Sequence, residues 1–556
     1  MKDLALTSHR NKVNMFRGYL IQLLSFAALQ GLIIGLNNLA DAITQNVPAR
    51  GLESRQNLPA STWPYQTFVT EPDFHPPVLE ISKTVGATDG LFFLVQSFFG
   101  SVPGPRTLAP LIMTEGSDVV WHGPNTVSGA ISANLAVQKL HGKDVLTYWT
   151  GPFVVNGVAG HGFGIIKILD TTYREIYTVS LNDSSFIAGD GMNNSAYPSY
   201  IDNHESLITP QGSILVTAYN STPYDLSSVG GPKNGWLSDS QFYEIDIKTN
   251  RTLFKWSSLD HVDRMPINQS HFLIDGAPFE GQNATHPWEY FTLNSVTTLD
   301  DGYLISSRFF SSIYAIAKDG SVKWNLQGIT GGDFQLGPGA QFQWQHHVRP
   351  AYSSGDYLFL QMFNDDNLGL ISTNQTGPST GLTLFLDLSK RTATVVSSLL
   401  DPKDIIYANS QGSYQPLGNG HNFLGYGQSP TMKEFDQHGD VVMDVKFGNQ
   451  VQVSSYRAFL QQWSGKPTTV PLANATAKGF NSTTVCMSWN GATPNVYDSW
   501  LVYAGGAKDS LTLAADVSRT GFETNATIGT AKFVQVAAVK GAQVLSKSRA
   551  IPVSIS

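Results

Sequence analysis

Between Pro287 and Arg349 the sequence sets a few polar side chains among a high density of aromatic ones. Thr292, Asn294, Arg308, Gln345 and His346 are interleaved with Trp288, Tyr290, Phe291, Phe309, Phe310 and Trp344. Gathered at one mouth, they would line an apolar, shape-selective pocket with sparse polar groups, the composition of a small-molecule site. Imidazole is the side chain whose charge changes near neutral pH, and guanidinium is a fixed cation with a planar fork of donors. His204, at the start of another β-rich run, adds a second imidazole.

Each of these residues also has a plainer reading. His204 could hydrogen-bond a neighbouring carbonyl, Arg308 could pair with a carboxylate between sheets, and the aromatic rings could pack as core. Neighbours on a strand point to opposite faces, so only one of His346 and His347 is expected to face a channel, which argues against both ligating one metal. Asp365-Asp366 suits a cation or, more commonly, a solvated loop. Asp260-His261 and Asp263-Arg264 read as a loop cluster of ion pairs. No Gly-x-Ser-x-Gly elbow occurs, and Gly160-His-Gly-Phe-Gly164 is not followed by a helical pattern, which disfavours a phosphate loop. The donor set implies no metal and no cofactor.

Two recurring patterns would position these groups. In one, a turn with Asp or Gly leads into a β-rich run, as in Gly116-Ser-Asp-Val-Val-Trp121 and Lys318-Asp-Gly-Ser-Val-Lys-Trp324. Six such phases, spaced at roughly 50–80 residues, suit blades of about four strands with long loop insertions. In the other, a polar residue (His204, Asn294 or His347) lies eight positions before a turn glycine: Gly212, Gly302 or Gly355. Strand starts repeated around a propeller bring such side chains to one mouth of the central channel.

The bulk composition agrees. The chain has 556 residues, only 14% of them charged, with 51 glycines and 28 prolines, which favours a turn-rich β protein. A net charge of −8 with no basic block disfavours nucleic-acid binding. Lys2, Arg10, Lys12 and Arg17 precede an apolar run from Tyr19 to Leu36 and then Ala40-Asp41-Ala42, which predicts a signal peptide over 1–42. An uncleaved anchor is the alternative, and it would be the only membrane contact. A linker over 43–62 follows. Sequons at Asn182, Asn193, Asn220, Asn250, Asn268, Asn283, Asn374, Asn474, Asn481 and Asn525 predict N-glycosylation in the secretory pathway. Cys486 is the only cysteine, so no intrachain disulfide forms. Beyond Lys466-Pro467, short alternating strands predict a fibronectin-III-like β-sandwich over 467–556.

The Pro287–Arg349 stretch resembles the signature of the arylsulfotransferase-like β-propellers common in fungi. His161-Gly-Phe-Gly164, Asn203-His-Glu205, Ser258-Leu-Asp-His-Val262, Ser455-Tyr-Arg-Ala-Phe459 and the Trp489 module extend the likeness. It implies an all-β fold: a six-bladed β-propeller over 63–466 followed by the sandwich. Bacterial sulfotransferases of this kind move sulfate between phenols through a sulfohistidine, with further histidines and an arginine at the channel mouth. By position in the motif, His204, Arg308 and His346 are the catalytic candidates. Two positions depart from the pattern. Thr292 stands where the family has a histidine, and His347 stands where many relatives have an aspartate, so a carboxylate that would orient His346 is expected to be missing. A hydroxyl neither acts as a base near neutral pH nor donates as an imidazolium. The first expectation is therefore a non-redox cyclase of hetero-Diels–Alder type, as in similar propellers of fungal secondary metabolism. It would bind an aromatic or polyketide/terpenoid molecule through Thr292, Asn294, Gln345, Trp288, Tyr290 and Trp344. An aryl sulfotransferase is the alternative, and a non-catalytic binding propeller the second.

Overall fold

A computed structural model describes residues 63–98, 108–125, 130–153, 160–186, 197–275, 281–366, 377–449, 453–479 and 481–555. The expected signal peptide and linker, Asn193 and Asn374 lie outside the described residues. No α-helix occurs among the described residues, and no helix there is long and apolar enough to cross a membrane. The protein is all-β.

Among the described residues before 466 the strands form six sheets of four or five strands and one two-stranded sheet, Ser97–Phe98 with Val453–Ser454. The first joins Leu91–Val95, Pro110–Met113 and Val119–His122 to the late strand Phe459–Gln461. The second runs from Ala130–Leu140 to Glu175–Val179, and the third from Ser206–Ile208 to Thr252–Ser257. The fourth starts at Leu293–Leu299, the fifth at His346–Ser354 and the sixth at Ser413–Pro416. The sixth takes the early strand Glu80–Lys83 as its edge, antiparallel to Val441–Lys446. An early strand and a late strand of the ring are thus each woven into a sheet built mainly from the other end of it.

Successive sheets share apolar cores. Trp149 and Ile166 of the second pack with Ile214 and Val216 of the third, whereas Leu215 of the third packs with Val296 and Ile305 of the fourth. Leu304 and Ile313 meet Leu358 and Leu384 of the fifth, and Phe363 meets Tyr414 and Leu424 of the sixth. Phe423 and Met432 pack with Phe92 and Leu111 of the first, and Ile112 and Val120 with Leu146 of the second, which closes a ring. A sheet covered on both faces buries consecutive residues, not alternate ones, which explains runs such as Ile214-Leu215-Val216. At about 25 cal/mol per Å² of apolar surface, each large side chain buried in these seams stabilises the fold by about 1.5–3 kcal/mol.

Residues 472–555 form two further sheets around one core that includes Trp500, Tyr497, Val485 and Val536. This unit docks on the ring. The Glu523 carboxylate accepts the Val69 and Thr70 N–H groups at 3.1 and 2.7 Å and the Thr70 hydroxyl at 2.6 Å. Phe522 packs on Phe68, Phe74 and His122.

Three strands that open a sheet carry a register shift at the same end: between Ala133 and Ala136, Leu293 and Ser295, and His346 and Arg349. Left-handed backbone accompanies each shift, at Asn134 (φ 55), Thr292 (φ 53) and His347 (φ 52). Such bulges re-aim side chains, and they collect at functional rims.

Candidate functional site

The segments leading into these strands, and the turns that leave their partners, bring buried polar residues together. The Asp202 carboxylate is a hub. Its Oδ1 accepts the His204 N–H at 2.9 Å and lies 2.5 Å from His204 Nδ1, and Thr217 Oγ1 donates to it at 3.3 Å. Its Oδ2 accepts the Gly162 N–H at 3.1 Å and lies 3.3 Å from His161 Nδ1. The other nitrogen of His161, Nε2, lies 2.7 Å from Glu289 Oε1, which also accepts the Thr292 hydroxyl.

Both nitrogens of His161 face carboxylates, and only an imidazolium satisfies both. Burial opposes that charge, but Glu289 and Asp202 outweigh it and push His161 up to about 10. Burial likewise pushes the Asp202 carboxyl up, yet His204 and His161 beside it hold it well below the usual carboxylate range. The positive charge binding this cluster together is the His161 proton.

His346 is built differently. Its Nε2 accepts the Gln411 N–H at 3.2 Å, so its proton sits on Nδ1 and is donated to Asp365 Oδ2 at 2.6 Å. Burial, and then Arg308, His204 and Arg457, push His346 well below its ordinary value, while burial pushes Asp365 well above its own. Two expectations change here. The carboxylate thought missing beside His346 is supplied by Asp365, at the end of the neighbouring strand. His346 and His347 do not alternate either: the bulge turns His347 so that its Nδ1 accepts the Tyr414 N–H at 3.2 Å, and both rings contact the segment that opens the sixth sheet.

Arg308 is partly buried. Its guanidinium lies 5.2 Å from the Phe309 ring and 5.3 Å from the Trp344 ring, and Nη2 donates to the Asn409 carbonyl at 3.0 Å. Its Nε–H has no acceptor among the described residues. Burial draws this guanidinium down from its ordinary value, against the pull of Asp365 and Glu289. Tyr456 adjoins both candidate histidines, its ring centroid 5.3 Å from His204 and 6.4 Å from His346. His204, Arg308 and His346 therefore share one cluster.

The residues expected to bind substrate are placed more variously. Thr292 belongs to the cluster through Glu289, and Trp344 lies against Arg308. Asn294 donates to the Gln345 carbonyl at 2.7 Å, and Gln345 Nε2 donates to Ser306 Oγ and Ser307 O at 2.9 and 3.0 Å, inside the seam between sheets. Trp288 and Tyr290 lie in the core shared by the third and fourth sheets, where Trp288 Nε1 donates to Phe272 O at 3.2 Å.

Behind the cluster lies a buried ion triad. Glu205 accepts Arg349 Nη2 at 2.7 Å and Arg457 Nη1 at 2.7 Å, and Arg457 Nη2 also donates to the carbonyls of His204 (2.9 Å) and Asn294 (3.3 Å). One guanidinium thus ties together the segments that carry His204 and Thr292. The candidate set drawn from the sequence omitted His161, Asp202, Glu289, Asp365, Tyr456 and the triad. His161, Glu205, Tyr456 and Arg457 were visible inside the quoted motifs, Asp202 and Glu289 carried no signal beyond being acidic, and Asp365, expected in a solvated loop, is instead fully buried against His346.

The sequence model of the arylsulfotransferase (ASST) family matches residues 136–448. The chain belongs to this family. The match spans the third to fifth sheets whole, and with them His161, the Asp202 hub, Thr292, Arg308 and His346. No curated protein matches. Solved structures similar to this arylsulfotransferase-family chain include a mutant of the GH43 protein BlXynB from Bacillus licheniformis, at 7% identity over 75% of this chain and 88% of that one, TM-score 0.28. An α-L-arabinanase from Penicillium chrysogenum, complexed with arabinobiose, aligns at 10% identity over 64% and 88% of the two chains, TM-score 0.30. Overlaps this loose say nothing about the chemistry of the family member described here.

Proposed function

We propose that this protein transfers a sulfuryl group between phenolic oxygens, with His204 as nucleophile. One observation carries the choice of residue. Of the four imidazoles in and beside the cluster, His161 has both nitrogens bound to carboxylates, His346 Nε2 is capped by the Gln411 N–H, and His347 Nδ1 by the Tyr414 N–H. His204 holds its Nδ1 against Asp202 and keeps Nε2 free of any protein hydrogen bond among the described residues. A carboxylate fixing Nδ1–H sets the tautomer whose Nε2 lone pair can attack.

The chemistry balances without another reactant. The Nε2 lone pair forms a bond to the sulfur of an aryl sulfate, the S–O(aryl) bond breaks, and the phenolate leaves with its electron pair. A second phenol then attacks the sulfur, the S–N bond breaks, and the acceptor's proton passes to solvent. Arg308 suits the sulfonate oxygens, since planar guanidinium donors match such an anion. Trp344, Phe309 and Tyr456 suit the aryl ring. Around this site we read the closed ring of six sheets as a six-bladed β-propeller, and residues 472–555 as its fibronectin-III-like sandwich. A secretory location with glycans on exposed sequons such as Asn182, Asn268 and Asn481 belongs to the same reading.

Family membership favours sulfate transfer over ring formation. A cyclase was expected because Thr292 and a missing carboxylate beside His346 left the set incomplete, but Thr292 serves Glu289, next to a charged His161, and Asp365 supplies the carboxylate. The test is to incubate the protein with an aryl sulfate donor and a phenol acceptor. Expected are an acceptor sulfate and one sulfuryl mass on the His204 peptide, both abolished in His204→Ala. A folded wild type that transfers nothing across a panel of donors and carries no label overturns the proposal.

A further inference from the structure

We propose that His161 is a positioning residue for His204: a charged bridge between Asp202 and Glu289 that keeps Asp202 from drawing a second proton onto the His204 ring. This rests on His204 acting through a neutral imidazole, as above. Asp202 serves two rings at once, with Oδ1 toward His204 and Oδ2 toward His161. The ring centroids are only 4.8 Å apart, so the charge on His161 acts on His204 at short range in a site shielded from water.

Every other group facing His161 fits the same assignment. Glu289 bonds its far nitrogen, and Thr292 completes Glu289. The Tyr219 ring lies 3.9 Å from the His161 ring, and its hydroxyl donates to the Leu293 carbonyl at 2.5 Å, while burial holds that phenol neutral. Tyr456 faces His204 from the far side, and Glu205 is consumed by Arg349 and Arg457. His161 is therefore the cation that satisfies the side of Asp202 turned away from His204. Without it, Asp202 would be a buried carboxylate with one ring left to pair with, and that ring would take up a proton and lose its lone pair.

The sign follows. Removing the His161 charge raises the pH at which His204 becomes neutral, and removing the Glu289 charge lowers it. Diethyl pyrocarbonate acylates only neutral imidazole, so mass spectrometry of the His204 peptide against pH reads this midpoint without any sulfate chemistry. In His161→Gln the midpoint should move to higher pH by about 1–3 units, the scale for a charge at this range, and in Glu289→Gln it should move to lower pH. A structural loosening would move both variants the same way. An unmoved or acidic midpoint in His161→Gln overturns the proposal. So does an unmoved or alkaline one in Glu289→Gln, which stands alone as a test if His161→Gln does not fold. If the midpoints split as expected while no variant transfers sulfate, the sulfotransferase reading falls and the bridge stands. If sulfate is transferred and the midpoints do not split, the bridge falls alone.

Discussion

Replacing Glu205 by glutamine should unsettle the whole ring. The substitution keeps the size of the side chain but leaves two buried guanidiniums facing a neutral amide, in place of a carboxylate that accepts Arg349 at 2.7 Å and Arg457 at 2.7 Å. Breaking a buried charge network by removing one partner costs about 3–5 kcal/mol. That lowers the folded-to-unfolded ratio roughly 10²- to 4 × 10³-fold at about 1.4 kcal/mol per decade. Urea unfolding of the full chain, followed by tryptophan fluorescence, should show a lower midpoint with an unchanged slope. Replacing the triad together by Glu205→Leu, Arg349→Met and Arg457→Met should recover part of the loss, because no charge is then stranded. The triad also carries a pH signature. Burial raises the Glu205 carboxyl, but Arg349 and Arg457 outweigh this and hold it below its usual value. Its contribution is thus complete above the unfolded value and is lost as pH falls through the lower folded one. Wild type should lose midpoint below about pH 4, and Glu205→Gln should lose less over that window. A Glu205→Gln cost under about 1 kcal/mol, the scale of an exposed pair, would refute the reasoning.

Thr292→Val keeps the β-branch in its left-handed backbone and removes only the hydroxyl that serves Glu289, so the unfolding midpoint should fall by the equivalent of about 1–3 kcal/mol. Lys433 has a fully buried side chain and is held by Asp401, Asp404 and Asp444 at 2.5, 3.1 and 3.4 Å. Lys433→Met should cost about 2–3 kcal/mol, less than a fully buried network because Asp404 and Asp444 keep contact with solvent, and calorimetry should show the loss shrinking in acid. Glu523→Gln weakens three hydrogen bonds to Val69 and Thr70, and timed limited proteolysis should show faster cleavage between 464 and 471 with the ring left intact.

Many strands of the ring were legible because they bury apolar residues on both faces and follow turns with Asp or Gly. The seams follow from that pattern, since Ile214-Leu215-Val216 has no polar face to offer. The strand-start pattern pointed to convergence of His204, Asn294 and His347, whereas Arg308 and His346 became candidates only by their places in the family motif. What stayed hidden were the bulges. Strict alternation put His346 and His347 on opposite faces, but a left-handed residue within the strand breaks the count, and no side chain announces a left-handed histidine. The partners of the histidines were hidden for a different reason. Asp202 is two residues from His204, whereas Asp365 reaches His346 and Glu289 reaches His161 only once separate sheets are side by side. Thr292 shows the cost of reading a motif position alone: its hydroxyl replaces a ring in the sequence, but in space it completes a carboxylate already bound to another ring.

The interweaving of the two chain ends makes the site a product of the finished chain. Tyr456, whose ring meets that of His204, and Arg457, which donates to the His204 carbonyl, lie just before Phe459–Gln461, the strand that completes the first sheet beside Leu91–Val95. A nascent chain still lacking those residues has made His161, His204, Arg308 and His346 but lacks the guanidinium that bonds the His204 and Asn294 carbonyls together. Such late, long-range pairing slows folding. A chain truncated before residue 457 is therefore expected to leave the first sheet without its last strand and the His204 segment without its guanidinium tie.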